Sequence, residues 1–327
     1  MARAERRPRP ARVLCVGEIR WDLFFDATTR PPLGLRAVPG GAAVNVALRL
    51  RRLGLASAVA GLVSADALGR ALREALRRAG VGVEELVPAR GRMGLVFVAR
   101  GARGAASYAG YGPRLEAAPT TRTSARRLRA SHLHVAALPP EREAQAALLH
   151  EVDRARACGA VVSLDLNLRP GPWAGARFGR RARALVAAAD LVKASVPDLA
   201  VAGAPLELDP RAPYALAVEA ARRALGARTL VVTRGRLATL AAGPWGATRL
   251  AVAPGRSRFA LGAGDAFAAG LVGAMVVRGL PHDATSWRGA LAAGHAAARS
   301  DLAEVASGRR PPHAPRDRRG SDGPQRR

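Results

Sequence analysis

Short runs of Val and Leu alternate along most of this chain with Ala/Leu/Arg segments of helical period, and this alternation constrains the fold more than any other feature. The apolar runs are VLCVG, ASAVAGLV, AVVSLDL, DLVKAS and TLVVT. Between and around them lie AAVNVALRLRRLG, DALGRALREALRRAG, ARFGRRARALVAAA, PYALAVEAARRALG and GDAFAAGLVGAMVVRG, whose apolar spacing is helical. A strand that is apolar on both faces needs cover on both, and strand–helix alternation is the pattern of parallel pairing. The expected fold is therefore α/β, with a mainly parallel central sheet flanked by helices on both faces. Two stretches break the rhythm. Residues 20–39 are irregular, with aromatic and Pro-rich parts, and residues 92–111, RMGLVFVARGARGAASYAGY, read as two strands about a Gly-containing turn. Both are expected to form a small β-rich lid. The ends, residues 1–10 and 309–327, are Arg/Pro-rich and almost without large apolar groups, a composition that cannot offset its ordering entropy. The expected organisation is one domain over 11–308 between two disordered basic tails.

The chain carries 52 Lys+Arg against 25 Asp+Glu, a formal charge of +27, which ordinarily points to nucleic acid or an anionic membrane. The residue counts remove most of that force. Lys193 is the only lysine, Ile19 the only isoleucine, and Asn45 and Asn167 the only asparagines. A bias toward G and C in the coding sequence explains this pattern and much of the arginine with it. Nucleic acid is not expected as a partner, and arginine-rich helices such as RALREALRR read as solvated faces. Cys15 and Cys158 have neither metal-ligand spacing nor the density of a disulfide scaffold. The apolar run Val13–Val16 is too short for a signal peptide, and no uninterrupted apolar run reaches the ~18 residues of a membrane span. A reduced, cytoplasmic protein without a membrane partner is expected.

An asparagine that survives such a bias marks a place where chemistry needs an amide. Asn45 follows Gly40-Gly41 at the start of a helix, with Asp22 after the first strand; Asn167 follows the strand SLDL. Paired glycines admit a polyol against bare backbone, and a carboxylate with an amide can bind neighbouring hydroxyls. The alternative is a glycine turn with a capping side chain. Gly262-Ala263-Gly264-Asp265 opens a strongly helical segment. Small residues let the backbone approach an anion, and the first N–H groups of the helix have no internal partner. Asp265 then either caps the helix or serves as a base beside an anion nest, which is what phosphoryl transfer requires. His132 and His134 alternate on a strand with no third ligand nearby, so packing is expected there. His295 reads as a helix-surface residue, the alternative being a place near an adenine, and Lys193 either reaches a phosphate or snorkels at a strand end.

Taken together these residues resemble the ribokinase/fructokinase (PfkB) family of carbohydrate kinases over roughly residues 12–306. VGEIRWDLF is similar to that family's first strand and substrate aspartate, PGGAAVNVALRLRRLG to its Gly-Gly motif, and LGAGDAFAAGL to its C-terminal signature. DLNLRPGPW is similar to the fructokinase and 2-keto-3-deoxygluconate kinase branches. The resemblance implies ATP-dependent phosphorylation of a sugar hydroxyl with Mg²⁺. It makes Asp265 the general base and gives Gly262, Ala263 and Gly264 the migrating phosphoryl group. Asp22, Gly40, Gly41, Asn45, Asn167 and Arg169 fall on the substrate side. Thr233, Gly235 and Lys193 fall on the nucleotide side, and Asp198 near the metal. It also implies a lid that could serve as a homodimer surface.

The departures are equally specific. Phe259-Ala260-Leu261 stands where the family has Asp-Thr-Thr, without the acidic and hydroxyl groups of a monovalent-cation site, and Ser195-Val196-Pro197-Asp198 stands for its Asn-x-x-Glu motif. Three readings follow: a sugar kinase, a non-catalytic relative that binds a sugar or protein, and, on charge alone, a nucleic-acid-binding protein.

Overall fold

The structure, a computed structural model, describes residues 13–26, 34–100, 106–112, 114–116, 130–168, 173, 177–209, 211, 213–252 and 262–306. The expected tails, Arg169, residues 259–261 and parts of both lid stretches lie outside these residues.

Five of the strands are the predicted apolar runs: β1 (Val13–Val16), β4 (Ser57–Ser64), β10 (Val161–Asp165), β11 (Leu191–Ser195) and β12 (Leu230–Thr233). With β5 (Leu86–Arg92), β8 (Arg114–Glu116), β9 (His132–Val135), β13 (Ala238–Gly243) and β14 (Gly246–Ala251) they form a ten-stranded sheet of order β14-β13-β12-β11-β10-β9-β1-β4-β5-β8. From β12 to β5 every pairing is parallel, and β13, β14 and β8 add antiparallel edges. The chain runs from β1 outward to β4 and β5, then returns to β9 and proceeds the other way. The strand order therefore reverses between β1 and β9, the crevice where open parallel sheets place their ligands.

Side chains on the two faces feed two apolar cores. Leu14, Leu133, Leu164 and Val192 pack against α3 (Arg142–Ala157), α4 (Arg180–Ala188), α5 (Val196–Val201) and α6 (Tyr214–Leu225). On the other face Val13, Cys15, Val59 and Val231 meet α1 (Ala42–Arg52), α2 (Ala67–Arg78), α7 (Ala263–Arg278) and α8 (Ala284–Ala306). Helix α1 is buried without a break from Ala42 to Leu50, and α7 is nearly as enclosed; helices apolar all round belong inside a molecule. Helices α7 and α8 touch backbone to backbone. A Cβ on Gly270 would lie 2.5 Å from the Ala293 carbonyl oxygen, and one on Gly294 2.7 Å from the Phe267 ring.

The second sheet has the order β3-β2-β6-β7, built from β2 (Arg20–Asp26), β3 (Arg36–Gly40), β6 (Gly94–Arg100) and β7 (Ala106–Tyr111). It grows from the C-terminal ends of β1 and β5. Among the described residues its apolar cluster is Phe24, Val38 and Val98, with Val96 against it. The β13–β14 hairpin falls outside the predicted alternation, because ATLAAG is too rich in Ala and Gly to signal a strand. No helix among the described residues is long and apolar enough to cross a membrane.

Candidate active site

Four of the residues expected on the substrate side, Asp22, Gly40, Gly41 and Asn45, converge where β2, the end of β3 and the start of α1 meet. Gly40 ends β3, and a Cβ there would lie 2.4 Å from the Asp22 carboxylate carbon. Gly41 caps α1 at φ 95°, and its Cβ would lie 2.2 Å from the Glu18 carbonyl oxygen. Both positions require glycine, the first for a side chain and the second for the backbone. Asp22 is buried and its Oδ1 accepts from Arg20 Nε at 2.7 Å; Arg20 also pairs with Glu18. Burial pushes the Asp22 carboxyl above its ordinary range; Arg20 opposes that rise, while the charges of Glu18 and Asp265 add to it.

The glycine loop and its aspartate close on the same point. Gly262 is the N-cap of α7 in the left-handed conformation, φ 75°, and no side chain caps this end. Its first intrahelical bond is Ala266 N–H to the Gly262 carbonyl at 2.9 Å. The amides of Ala263 and Gly264 precede that bond and belong to the orphan donors of a helix start, suited to an anion. Asp265 does not cap the helix. Its Oδ2 accepts from Asn45 Nδ2 at 2.8 Å, joining two motifs 220 residues apart. The amide orientation of Asn45 follows, since its carbonyl could not face a carboxylate. Asn45 Oδ1 is left buried with no hydrogen-bond partner.

A buried ion pair completes this end of the sheet. Lys193 of β11 donates to Asp165 Oδ2 of β10 at 2.7 Å, and both are buried. The ammonium faces the glycine loop, 3.5 Å from where a Gly264 Cβ would sit. Burial alone would lower the Lys193 pKa, but Asp165, with Asp198 and Asp265, holds it above its ordinary value. Burial pushes Asp165 up to about 6 against the pull of Lys193. Lys193 therefore does not snorkel. Asp165 is a member of this cluster that the sequence did not single out; its signal is a carboxylate ending a largely apolar strand, but its partner lies 28 residues away on a neighbouring strand.

Asn167, Thr233, Gly235 and Asp198 lie at the same end of the sheet. Asn167 is held at φ 42° and donates to the Ala136 carbonyl at 3.2 Å. Thr233 pairs with Ser195 in the ladder, and Gly235 turns at φ 58°. Asp198 forms a capping box with Ser195: its Oδ2 accepts from Ser195 N at 2.7 Å and Oγ at 2.6 Å, and its Oδ1 accepts from Leu168 N at 2.8 Å. A carboxylate has about four acceptor positions, and these three bonds leave one on Oδ1 unused. Among the described residues no cluster of three His, Cys, Asp or Glu could hold a metal directly. His132 Nε2 and His134 Nδ1 both lie 2.8 Å from Ser163 Oγ, and burial lowers both pKa values to about 3. They are core residues. His295 is buried rather than on the helix surface, with Nε2 2.8 Å from Thr239 Oγ1.

A mainly parallel sheet with a strand-order reversal and a second, small β sheet define a ribokinase-like fold. The solved fructokinase with bound ATP from Xylella fastidiosa shares this fold: TM-score 0.68 at 23% identity, covering 90% of each chain. The chain belongs to the pfkB family of carbohydrate kinases, whose pattern it matches over residues 10–307. It is thus a sugar kinase, and ATP binding follows from the family. Among similar curated proteins, a fructokinase of Salmonella typhimurium is 28% identical over 84% of this chain and 88% of its own length. A 2-dehydro-3-deoxygluconokinase of Bacillus subtilis (strain 168) is 31% identical over 41% of this chain and 43% of its own.

Proposed function

We propose that this sugar kinase transfers the γ-phosphoryl group of ATP to a hydroxyl of a fructose-like or 2-keto-3-deoxygluconate-like sugar, with Asp265 as the base. The observation that carries the reading is the Asn45–Asp265 hydrogen bond of 2.8 Å beside the unpartnered Asn45 Oδ1. It puts a sugar-hydroxyl acceptor and a proton acceptor side by side. Asp22, Gly40, Gly41 and Asn45 hold the sugar, with Asn167 and Arg169 on the same side. Asp265 takes the hydroxyl proton as the sugar oxygen forms its bond to phosphorus. The β–γ bridging bond breaks at the same centre and ADP leaves with its electron pair. Charge on the phosphoryl oxygens meets the amides of the Gly262–Gly264 loop and the Lys193 ammonium. Thr233 and Gly235 flank the nucleotide. Mg²⁺ bound with the nucleotide would neutralise phosphate charge, its water shell reached by the open lone pair of Asp198; Mg²⁺ typically keeps several waters in such sites. The lid sheet, carrying Asp22, closes over the sugar and excludes water.

The test is ADP release across a panel of sugars, with Asp265→Asn beside the wild type. Asparagine can still accept from Asn45, so fold and sugar binding should persist while kcat falls at least ~10²-fold, as for loss of a positioned acid–base group. Near-wild-type turnover in that variant would end the assignment.

A further inference from the structure

Arg49 is the one arginine among the described residues that is buried, 4% exposed, and it lies one helical turn after Asn45 on α1. A guanidinium out of water needs pairing, and each of the three nitrogens of this one has a partner. Its Nε donates to Asp301 Oδ1 at 3.1 Å, and its Nη2 to Asp301 Oδ2 at 2.7 Å, a bidentate fork. The third branch, Nη1, donates to the backbone carbonyl of Asn45 at 3.1 Å. Arg52 adds a longer contact of 3.6 Å to the same carboxylate.

Asp301 belongs to α8, and α8 is locked to α7 by the backbone approaches at Gly270 and Gly294. Asp265 and Asp301 therefore sit on one rigid helical pair. Helix α1, which carries the sugar-side amide, is tied to that pair twice, one turn apart: Asn45 to Asp265 and Arg49 to Asp301. Stability alone does not call for the second tie, because a buried ion pair can often be replaced by apolar side chains without loss. Reaction geometry does call for it, since a 1 Å misplacement of reacting groups can cost about 10²-fold in rate. We propose that Arg49 and Asp301 are positioning residues, a clamp that sets α1 against α7–α8 and so fixes the distance between the sugar hydroxyl and the Asp265 carboxylate. This rests on the roles given above to Asn45 and Asp265.

The experiment is the double variant Arg49→Met/Asp301→Leu in the full chain. With the clamp gone, kcat falls about tenfold or more while Tm and the KM for ATP stay near wild type, and Arg49→Lys, which keeps a charge link, recovers part of the rate. A second readout needs no turnover. Asn45→Ala and Asp265→Ala share one hydrogen bond, so their effects on Tm are non-additive in the wild-type background; they become additive in the clamp-free background. If the protein phosphorylates no sugar, the assignment of Asp265 fails while the Tm cycle still judges the clamp. Should the double variant not fold, Asp301→Asn, which keeps the shape, carries both readouts. Wild-type kcat in a folded clamp-free variant, or Tm coupling that persists in it, would overturn the proposal.

Discussion

Burial holds the carboxyls of Asp165 and Glu151 above their ordinary range, at about 6 and about 7, and the imidazoles of His132 and His134 below theirs, at about 3, so groups of opposite sign act on stability in one pH window. Each of these carboxyls binds its proton more tightly in the folded chain than in the unfolded one, and each imidazole less tightly. As pH rises through about 5 to 7 the carboxyls therefore lose their share of stability, while the histidines regain theirs. Carboxylates held below their ordinary range, such as Glu219 at about 2 beside Arg222, act only at lower pH. The Glu151 contribution is isolated by Glu151→Gln: the Tm of the wild type relative to that of the variant should rise as pH is lowered from 7.5 to 5.5. A difference that stays constant or shrinks over this range would contradict the assignment. At this scale Asp265, Asn45 and Lys193 were legible in the sequence as isolated oddities, two of them as survivors of a biased composition. Their partners were not. Lys193–Asp165 and Arg49–Asp301 are spaced 28 and 252 residues apart, and only the strand order and helix packing bring them together.

The turn from β3 into α1 carries two of the residues proposed to hold the sugar, and its two glycines have separable effects. Adding a Cβ at Gly40 meets the Asp22 carboxylate, a side chain held by Arg20, whereas one at Gly41 meets fixed backbone at an unfavourable φ. Gly40→Ala should displace Asp22 and raise the sugar KM about tenfold with little change in Tm. Gly41→Ala should instead lower Tm, since both strain and backbone overlap oppose it. Equal kinetic behaviour in two fully stable variants would refute this division. The alternation of runs was enough to foresee the buried parallel strands and the helices between them. It could not foresee the β13–β14 hairpin, whose Ala-rich strand has no β-forming signature, nor the start of α4 at Arg180, where Gly179 sets the N-cap. Helix ends follow local capping that periodicity does not encode.

The whole molecule places its chemistry at one end of a sheet whose strand order reverses between β1 and β9. That a crevice should lie there follows from the alternation of strands and helices; which side chains fill it depends on the register of distant strands. The molecule is also unequal in its parts. Two large cores hold the central sheet, while the lid sheet's own cluster has three buried apolar residues among those described, Phe24, Val38 and Val98, its Trp21 packing into the core of the body instead. Local openings follow the amount of apolar contact that resists them. On warming, the lid should therefore come loose before the body does, and it takes Asp22 with it while Asn45 and Asp265 stay on the body. Amide hydrogens of β2 and β6 should exchange with solvent faster than those of β1 and β9. Sugar affinity should fade over a range of temperature in which α7 and its glycine loop are still intact, so that heat disarms this enzyme before it denatures it.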